Sequence, residues 1–530
     1  MAKARPIQIE FPLGGQNRRA GYAQKFRPFT TPRAINVRGV GSLEKRGRGG
    51  CRPGLAKFVD NDFGTNITGI QSVTYVDASG DRQQDLAVIA DGTMNIVQGG
   101  SVTPTIAYLS INGDNLTISG DNLIFGSTVS STNPLADGNS FDLAEWGGKL
   151  YIADSTLKEY DPVTGNVNTV DDAPSGQPLV EIYQQRVVLA GGDHVYYISG
   201  QADATDWDAG ADYENVGRAV FGQLSDQGII GEKVLALHNY HDRALIFGCR
   251  DSIWALYGNP AGPEARKVNV VSPYVGILSR DSYTVTPNGT VIFLSRRGVY
   301  TWQIGSEAEP APFSERLIPE ELLAIDTTTT DVLMEYDHRS RGVHLFLTPQ
   351  GINEEGTHWW IDLDNNAFWE VSLPYDMQPL VSSRVTTDGY SDVVFGCRDG
   401  YIRRFDDSAT TDDGTAIQSD IIIGPFHVSG QEGMDGQIVQ MVGALAKGSG
   451  NVDWKIVVAD SAEEVVDKAE EILEADGLTG VDKIGRWTEG QNTREYPRSR
   501  GPWAIIWLSS TEQWSYEAIT MYNAQLGRLR

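Results

Sequence analysis

The sequence predicts an all-β chain: a β-propeller of about seven blades, with six to eight allowed by the spacing, followed by a β-sandwich-like domain carrying one helix. Three observations predict it. Short apolar runs alternate with Gly, Asp and Asn turns through a chain of 530 residues with 58 glycines and only 7 methionines, the texture of many short strands. One kind of hairpin recurs between residues 67 and 407. After residue 407 the pattern breaks, and a single helical period follows.

The repeat is read first, since it decides the fold. "FGCRD" occurs twice, at Phe247–Asp251 and Phe395–Asp399. In each copy an apolar strand meets a tight polar turn and then a strand bearing an aromatic. "LAVIADGTMNIVQ" (turn near Asp91), "LYIADSTLKEYDP" (Ser155), "VVLAGGDHVYYIS" (Asp193), "VIFLSRRGVYTWQ" (Arg297) and "VHLFLTPQGINEEGTHWWIDL" (Asn353) have the same form, giving seven hairpins. Most follow a further apolar run, such as "SFDLAEW", "PLVEIYQ", "KVLALHN" or "DVLMEYD". Several lead into a closing strand after a second turn. Four short strands per unit of roughly 40–50 residues is a propeller blade. The segment 108–129 breaks the spacing and reads as an insertion or an extra strand pair. The propeller is placed at 61–407.

This repeat also accounts for Cys249 and Cys397, two of the chain's three cysteines. In a strand, Phe and Cys two residues apart share a face, and a small apolar thiol suits a packed blade. A metal site would need further ligands at close spacing, and no CxxC is present. Three cysteines build no disulfide framework, and the odd count points to a reducing compartment. The N-terminus "MAKARPIQIEFPLGG" has no apolar core of signal-peptide length, and no apolar run of about 18 residues occurs. Synthesis and folding in a cytoplasm are expected.

Residues 408–530 form the second predicted domain. "SATTDDGTAIQSD" reads as a polar linker. In "VDWKIVVAD", Val452, Trp454, Ile456 and Val458 alternate as on a half-buried strand. A helix is expected near 461–476: Ser461 and Glu464 stand at capping-box spacing, Ala462, Val465, Val466, Ala469, Ile472 and Leu473 share one face, and Gly477 stops it. "PWAIIWLSS" and "QWSYEAITMYN" close the chain as strands.

Residues 1–60 show little periodicity and read as an extended basic arm. They hold 13 Lys and Arg against 3 Asp and Glu, a net of +10, so the remaining 470 residues carry −37 of the total −27. A basic arm on an acidic body suggests docking on an acidic partner, another copy of the chain included. The acidic body repels nucleic acid and anionic membrane.

A search for chemistry returns little. No phosphate-binding loop, no GxGxxG between strand and helix, no HExxH and no GxSxG occurs. "HNYHD" (238–242) sits at a hairpin turn. "VDNDFG" (59–64) and "DLDNN" (362–366) lack the later glutamate of a calcium loop. No catalytic, cofactor-binding or metal-ligating residue is assigned, and the chain is expected not to be an enzyme and to need no cofactor.

Two stretches resemble a known family. The first, 11–58, carries a Gly-Gly-x-Asn segment (Gly14–Asn17), an Ala-x-Asn-Val (34–37) and Arg-x-Arg-Gly-Gly-x-Arg-Pro-Gly (46–54). The second, 492–530, runs Arg-Ser-Arg-Gly, then Trp-x-x-Glu-x-Ile, then Gly-Arg-x-Arg. They resemble the tail nozzle, or tail tubular protein B, of short-tailed bacteriophages. The chain departs from that pattern at Cys51, where a small hydroxyl residue is expected. The resemblance implies a virion structural protein assembled in the host bacterial cytoplasm: a homo-oligomeric ring, usually of six copies, at the distal end of the tail. DNA passes through its lumen at ejection without specific binding. Its neighbours would be the tail adaptor protein and tail fibres or spikes. Arg18, Arg19, Arg46, Arg48, Arg52, Arg498 and Arg500 are the expected interface residues, guanidinium forks being suited to carboxylates across an interface. Two other readings stand beside it: a propeller adhesin for host surface glycans, and a propeller glycan hydrolase.

Overall fold

The computed structural model describes residues 5–19, 21, 30–39, 47–90, 92–98, 101–104, 135, 141–210, 214–227, 232–262, 268–351, 353–387, 390–431, 433–475, 479–488 and 494–528. Asp91, the segment 108–129 and Gly477, each given a part above, lie outside them.

The propeller is present. Among the described residues six antiparallel four-stranded sheets stand separately, and a seventh four-stranded blade runs on into a nine-stranded sheet. We number the blades by their innermost strands: blade 1 Ile67–Val76, blade 2 Asp142–Trp146, blade 3 Leu179–Ile182, blade 4 Val234–Tyr240, blade 5 Tyr283–Val285, blade 6 Thr330–Asp337 and blade 7 Pro379–Thr387. The seven hairpins predicted from sequence are the second and third strands of these blades. Inner strands of neighbouring blades pack side by side, blade 7 returning against blade 1, and between blades 4 and 5 Tyr283 completes the ring by bonding Leu237 O and meeting the His238 ring edge-on.

The FGCRD copies occupy equivalent places. Cys249 ends the second strand of blade 4 and Cys397 the second strand of blade 7. Cys249 pairs with Val234 and Cys397 with Pro379, and both ladders then shift register by one residue. The glycine of each copy has a reason. A Cβ on Gly248 would stand 2.8 Å from Ile277 on the way to blade 5, and one on Gly396 2.6 Å from Ile67 of blade 1. The motif thus marks where one blade's strand meets the next blade closely.

The first 60 residues differ from the expected arm. They contribute five strands, each paired within the same chain. Gly54–Lys57 is the outermost strand of blade 7, beside Ile402–Asp406. Sequence-distant strands therefore close the ring, and the boundaries at 60 and 407 do not separate bodies in space. Arg33–Ile35 lies antiparallel to Ser419–His427 and touches the outer strand of blade 6 at Ile35 and Glu370. Arg5–Glu10 and Gly49–Cys51 both pair with the final strand, Ser515–Arg528. The chain ends gain from this what a loose tail cannot: backbone partners and buried apolar contacts.

The second domain is a sandwich. Ser419–His427, Trp503–Ser510, Val452–Ala459 and Lys483–Trp487 continue the nine-stranded sheet. Met434–Leu445 and Ser515–Arg528 lead the facing seven-stranded one. Ile421, Ile423, Trp454, Ile456, Ile506 and Leu508 point into the sandwich core. Ile422, Val457, Ile505 and Trp507 point the other way, onto the helix Ala462–Glu474. Both faces being buried explains the unbroken apolar runs "DIIIG" and "WAIIWL". Ser461 caps the helix, its side chain accepting from Glu464 N at 3.2 Å.

Candidate functional site: the joined ends and the propeller channel

The residues that carried the family resemblance gather at the junction of propeller and sandwich. Gly15, at φ 70°, would place a Cβ 2.8 Å from Ala367 and Phe368, and Gln16 N donates to Phe368 O at 2.9 Å. Asn36 turns left-handed at φ 55°, and its Oδ1 accepts from Ser372 N and Arg52 Nε at 2.9 and 2.8 Å. A Cβ on Gly50 would lie 1.9 Å from Trp514 O, and one on Gly54 2.2 Å from Thr411 O. Only glycine permits so close a backbone approach.

Arg52 is the largest correction to the expected interface. It is 1 % exposed. Its two terminal nitrogens fork onto the Asp412 carboxylate at 2.8 and 2.6 Å, and it also donates to Asn36, Pro53 O and Ser372 O. Asp412 belongs to the segment read as a linker and is 2 % exposed. The expected-interface arginine is therefore an internal tie, and neutralising it would disturb the fold. Arg18 ion-pairs with Glu321 at 3.0 Å, on the same chain. Arg19 is exposed and donates to Glu315 O at 3.1 Å. Arg48 is half-buried. Arg500 is exposed and meets Asp435 at 3.0 Å, and Arg498 is exposed at φ 55°. Arg46 lies outside the described residues. Of the expected set, Arg18, Arg19, Arg498 and Arg500 present themselves to solvent.

The propeller channel carries groups that sequence reasoning missed. Adjacent inner strands splay apart, which leaves edge N–H groups to satisfy. At every seam between blades a side chain does so or links the strands. Glu145 accepts from Thr74 N at 3.0 Å, Asp142 from Val180 N at 2.8 Å and Glu181 from Asn239 N at 3.1 Å. Thr284 accepts from Tyr336 N and Ser383 from Ser72 N, both at 3.1 Å. Glu335 accepts from Ser382 Oγ at 3.1 Å and Arg384 Nε at 2.8 Å. Tyr283 donates its hydroxyl to Leu237 O. The signal was in view: a polar residue inside each apolar run preceding a hairpin, as in "SFDLAEW" and "PLVEIYQ".

Enclosure by the channel walls sets the charge of these groups. Burial pushes Glu181 up to about 7 and Asp142 up to about 6, the latter against the pull of Arg280. Burial drives His238 down to about 4, so it is neutral at pH 7. Arg280 is held charged: burial opposes its charge, but Asp281 and Asp142 outweigh that and raise it. Its guanidinium bonds Asp281 at 2.6 to 3.1 Å.

At one end, where the inner strands begin, the channel opens into a cavity of about 910 Å³. Arg280, Asp281, Asp331, Gln350, Tyr375 and Arg398 line its rim.

Among the described residues, no group of three or more His, Cys, Asp or Glu could hold a metal ion. His241 and Asp242 of "HNYHD" are turn residues at φ 49° and 55°. Among the described residues no helix is long and apolar enough to cross a membrane.

No protein-family model matches this sequence, and no curated protein matches it. Solved structures similar to it include the WD40 β-propeller domain of Doa1, at 11 % identity over 67 % of this chain and 96 % of that one, TM-score 0.38. The extracellular domain of a hybrid two-component system from B. thetaiotaomicron is 10 % identical over 74 % of this chain and 43 % of that one, TM-score 0.41. YCF48 bound to D1 peptide is 9 % identical over 67 % and 97 %, TM-score 0.39. These similarities are too distant to carry function.

Proposed function

We propose that the chain is a virion structural protein, the ring-forming tail nozzle of a short-tailed bacteriophage, which passes DNA at ejection and performs no catalysis. One observation carries the reading. The two stretches that resemble that family, far apart in sequence, meet in one seven-stranded sheet, where Gly49 and Gly50 pair with Tyr516 and Ser515. Gly15, Asn36, Gly50 and Arg52 each make a close approach or buried bond there. The shared motifs thus specify a junction locking propeller to sandwich, and a resemblance in them is a resemblance in architecture.

A subunit whose propeller and sandwich share one sheet suits a cyclic ring, which needs complementary surfaces on opposite sides of each copy. The net charge of −27 favours a lumen along which DNA slides without sticking. Exposed Arg18, Arg19, Arg498 and Arg500 are the cations of the expected set that can meet acidic surfaces of a neighbour or of the tail adaptor.

The test is cryo-electron microscopy of the purified chain at rising concentration, with light scattering. A closed ring, six copies by the resemblance, is expected, and Arg498→Glu with Arg500→Glu should weaken it while leaving the monomer folded. A chain that stays monomeric at every concentration, and is absent from tails of the virion that encodes it, would overturn the reading.

A further inference from the structure

We propose that the channel mouth is a binding site for a short, neutral, hydroxyl-rich ligand, an oligosaccharide of a few units. The inference does not depend on the nozzle reading.

Four observations carry it. First, size: the cavity of about 910 Å³ falls within the range of ligand pockets, about 300–1,000 Å³. Second, charge: in a chain of net −27 the mouth is balanced, with Arg280 and Arg398 against Asp281 and Asp331. Arg280 is already bonded to Asp281, Asp331 accepts from Gln350 Nε2 at 2.9 Å, and the Arg398 guanidinium lies 4.4 Å from the Tyr375 ring centre. A balanced site gives no advantage to a polyanion or a metal cation.

Third, the chemistry of the wall. Asn66 and Gln350 supply amides, and Thr68, Thr327 and Thr330 hydroxyls, beside the apolar side chains of Val332 and half-buried Leu380. Donor–acceptor groups beside a small apolar surface match a sugar ring, whose edge is hydroxyl and whose face is C–H. Fourth, the wall has polar capacity left over. Ser279 Oγ and Arg398 Nη1 are shielded from solvent and have no hydrogen-bond partner, and Gln378, whose backbone carbonyl accepts from Arg398 N at 3.1 Å, is fully buried with both amide atoms unpartnered. Buried polar groups without partners are rare. Their gathering at one mouth points to a polar occupant, reached directly or through water.

The experiment uses the full chain against an array of neutral and acidic di- and trisaccharides, with calorimetry on the strongest binder. Saturable binding to a neutral oligosaccharide is expected. Gln350→Ala and Thr327→Trp, which respectively remove an amide and fill the mouth, should each weaken it roughly tenfold or more, with the unfolding temperature and the oligomeric state unchanged. Binding to no neutral sugar, binding confined to acidic sugars, or binding untouched by both variants would each overturn the proposal. A ring that binds no sugar would leave the nozzle reading standing, and a sugar-binding monomer would do the reverse.

Discussion

Arg52 and Asp412 form a bidentate ion pair of 2.6 and 2.8 Å, both side chains out of reach of solvent, between the first segment of the chain and the segment leaving the last blade. Asp412 Oδ1 also accepts from Leu55 N at 2.9 Å, the amide of the strand that completes blade 7. The pair thus fastens the strand that closes the ring.

Removing one partner leaves the other charge buried and uncompensated, which costs about 3–5 kcal/mol. Arg52→Ala is expected to destabilise the chain by that amount in denaturant unfolding. Arg52→Met combined with Asp412→Leu should recover much of the loss, because the pair's own desolvation is then removed as well. Full stability in Arg52→Ala would show that the tie does not fasten the ring.

The glycines of the two FGCRD copies make a paired prediction. A Cβ at Gly248 meets Ile277 at 2.8 Å, and one at Gly396 meets Ile67 at 2.6 Å. Overpacking of this kind costs about 1–3 kcal/mol. Gly248→Ala and Gly396→Ala should each lower the unfolding midpoint, and by similar amounts, since the two sites repeat one geometry. An unchanged midpoint in either would break the equivalence.

The blades were legible because each repeats a local pattern, a strand, a tight turn and a strand with an aromatic, and short-range periodicity reports such units directly. Ser461 marked the helix start for the same reason. The arm was misread because its strands are short and paired at long range: Val37–Gly39 and Gly49–Cys51 are too brief to show a period, and Gly54–Lys57 finds its partner about 350 residues on, at Ile402–Asp406. Arg52 looked like a surface cation because composition says nothing of Asp412. Asp142, Glu145 and Glu181 show in the sequence as polar residues inside the apolar runs "SFDLAEW" and "PLVEIYQ", but that these of the 70 acidic residues stand at the seams between blades follows only from the ring geometry.

The cysteines should be inert in the folded chain. Cys249 and Cys397 are both 0 % exposed, and burial pushes each thiol up to about 12. Cys51, also buried, is pushed up to about 11. The thiolate is the reactive form, so a thiol reagent at pH 8 should modify none of the three until denaturant is added, and all three afterwards. Rapid labelling of Cys249 or Cys397 in native protein would contradict their place in the blade cores.

The channel carboxylates make the stability of the chain depend on pH. Burial raises Glu181 from 4.5 to about 7 and Asp142 from 3.8 to about 6 in the folded chain. Between those limits the native state holds more protons than the unfolded one, so these groups make stability rise as pH falls. His238 works oppositely: lowered by burial from 6.5 to about 4, it costs stability once the unfolded imidazole begins to protonate, and His338, His344 and His358, each lowered by burial, act with it. Asp337 is lowered from 3.8, mainly through His344 working against burial, and its contribution is lost only in strong acid. From pH 8 to about 6.5 the carboxylates and these histidines therefore pull in opposite senses, with Glu181 the first carboxylate to take up a proton. Glu181→Gln, neutral at every pH yet still able to accept from Asn239 N, removes its share, so the urea midpoint of the wild type relative to Glu181→Gln should climb as pH falls through that window. A difference between the two that stays flat or falls from pH 8 to 6.5 would remove Glu181 from that role.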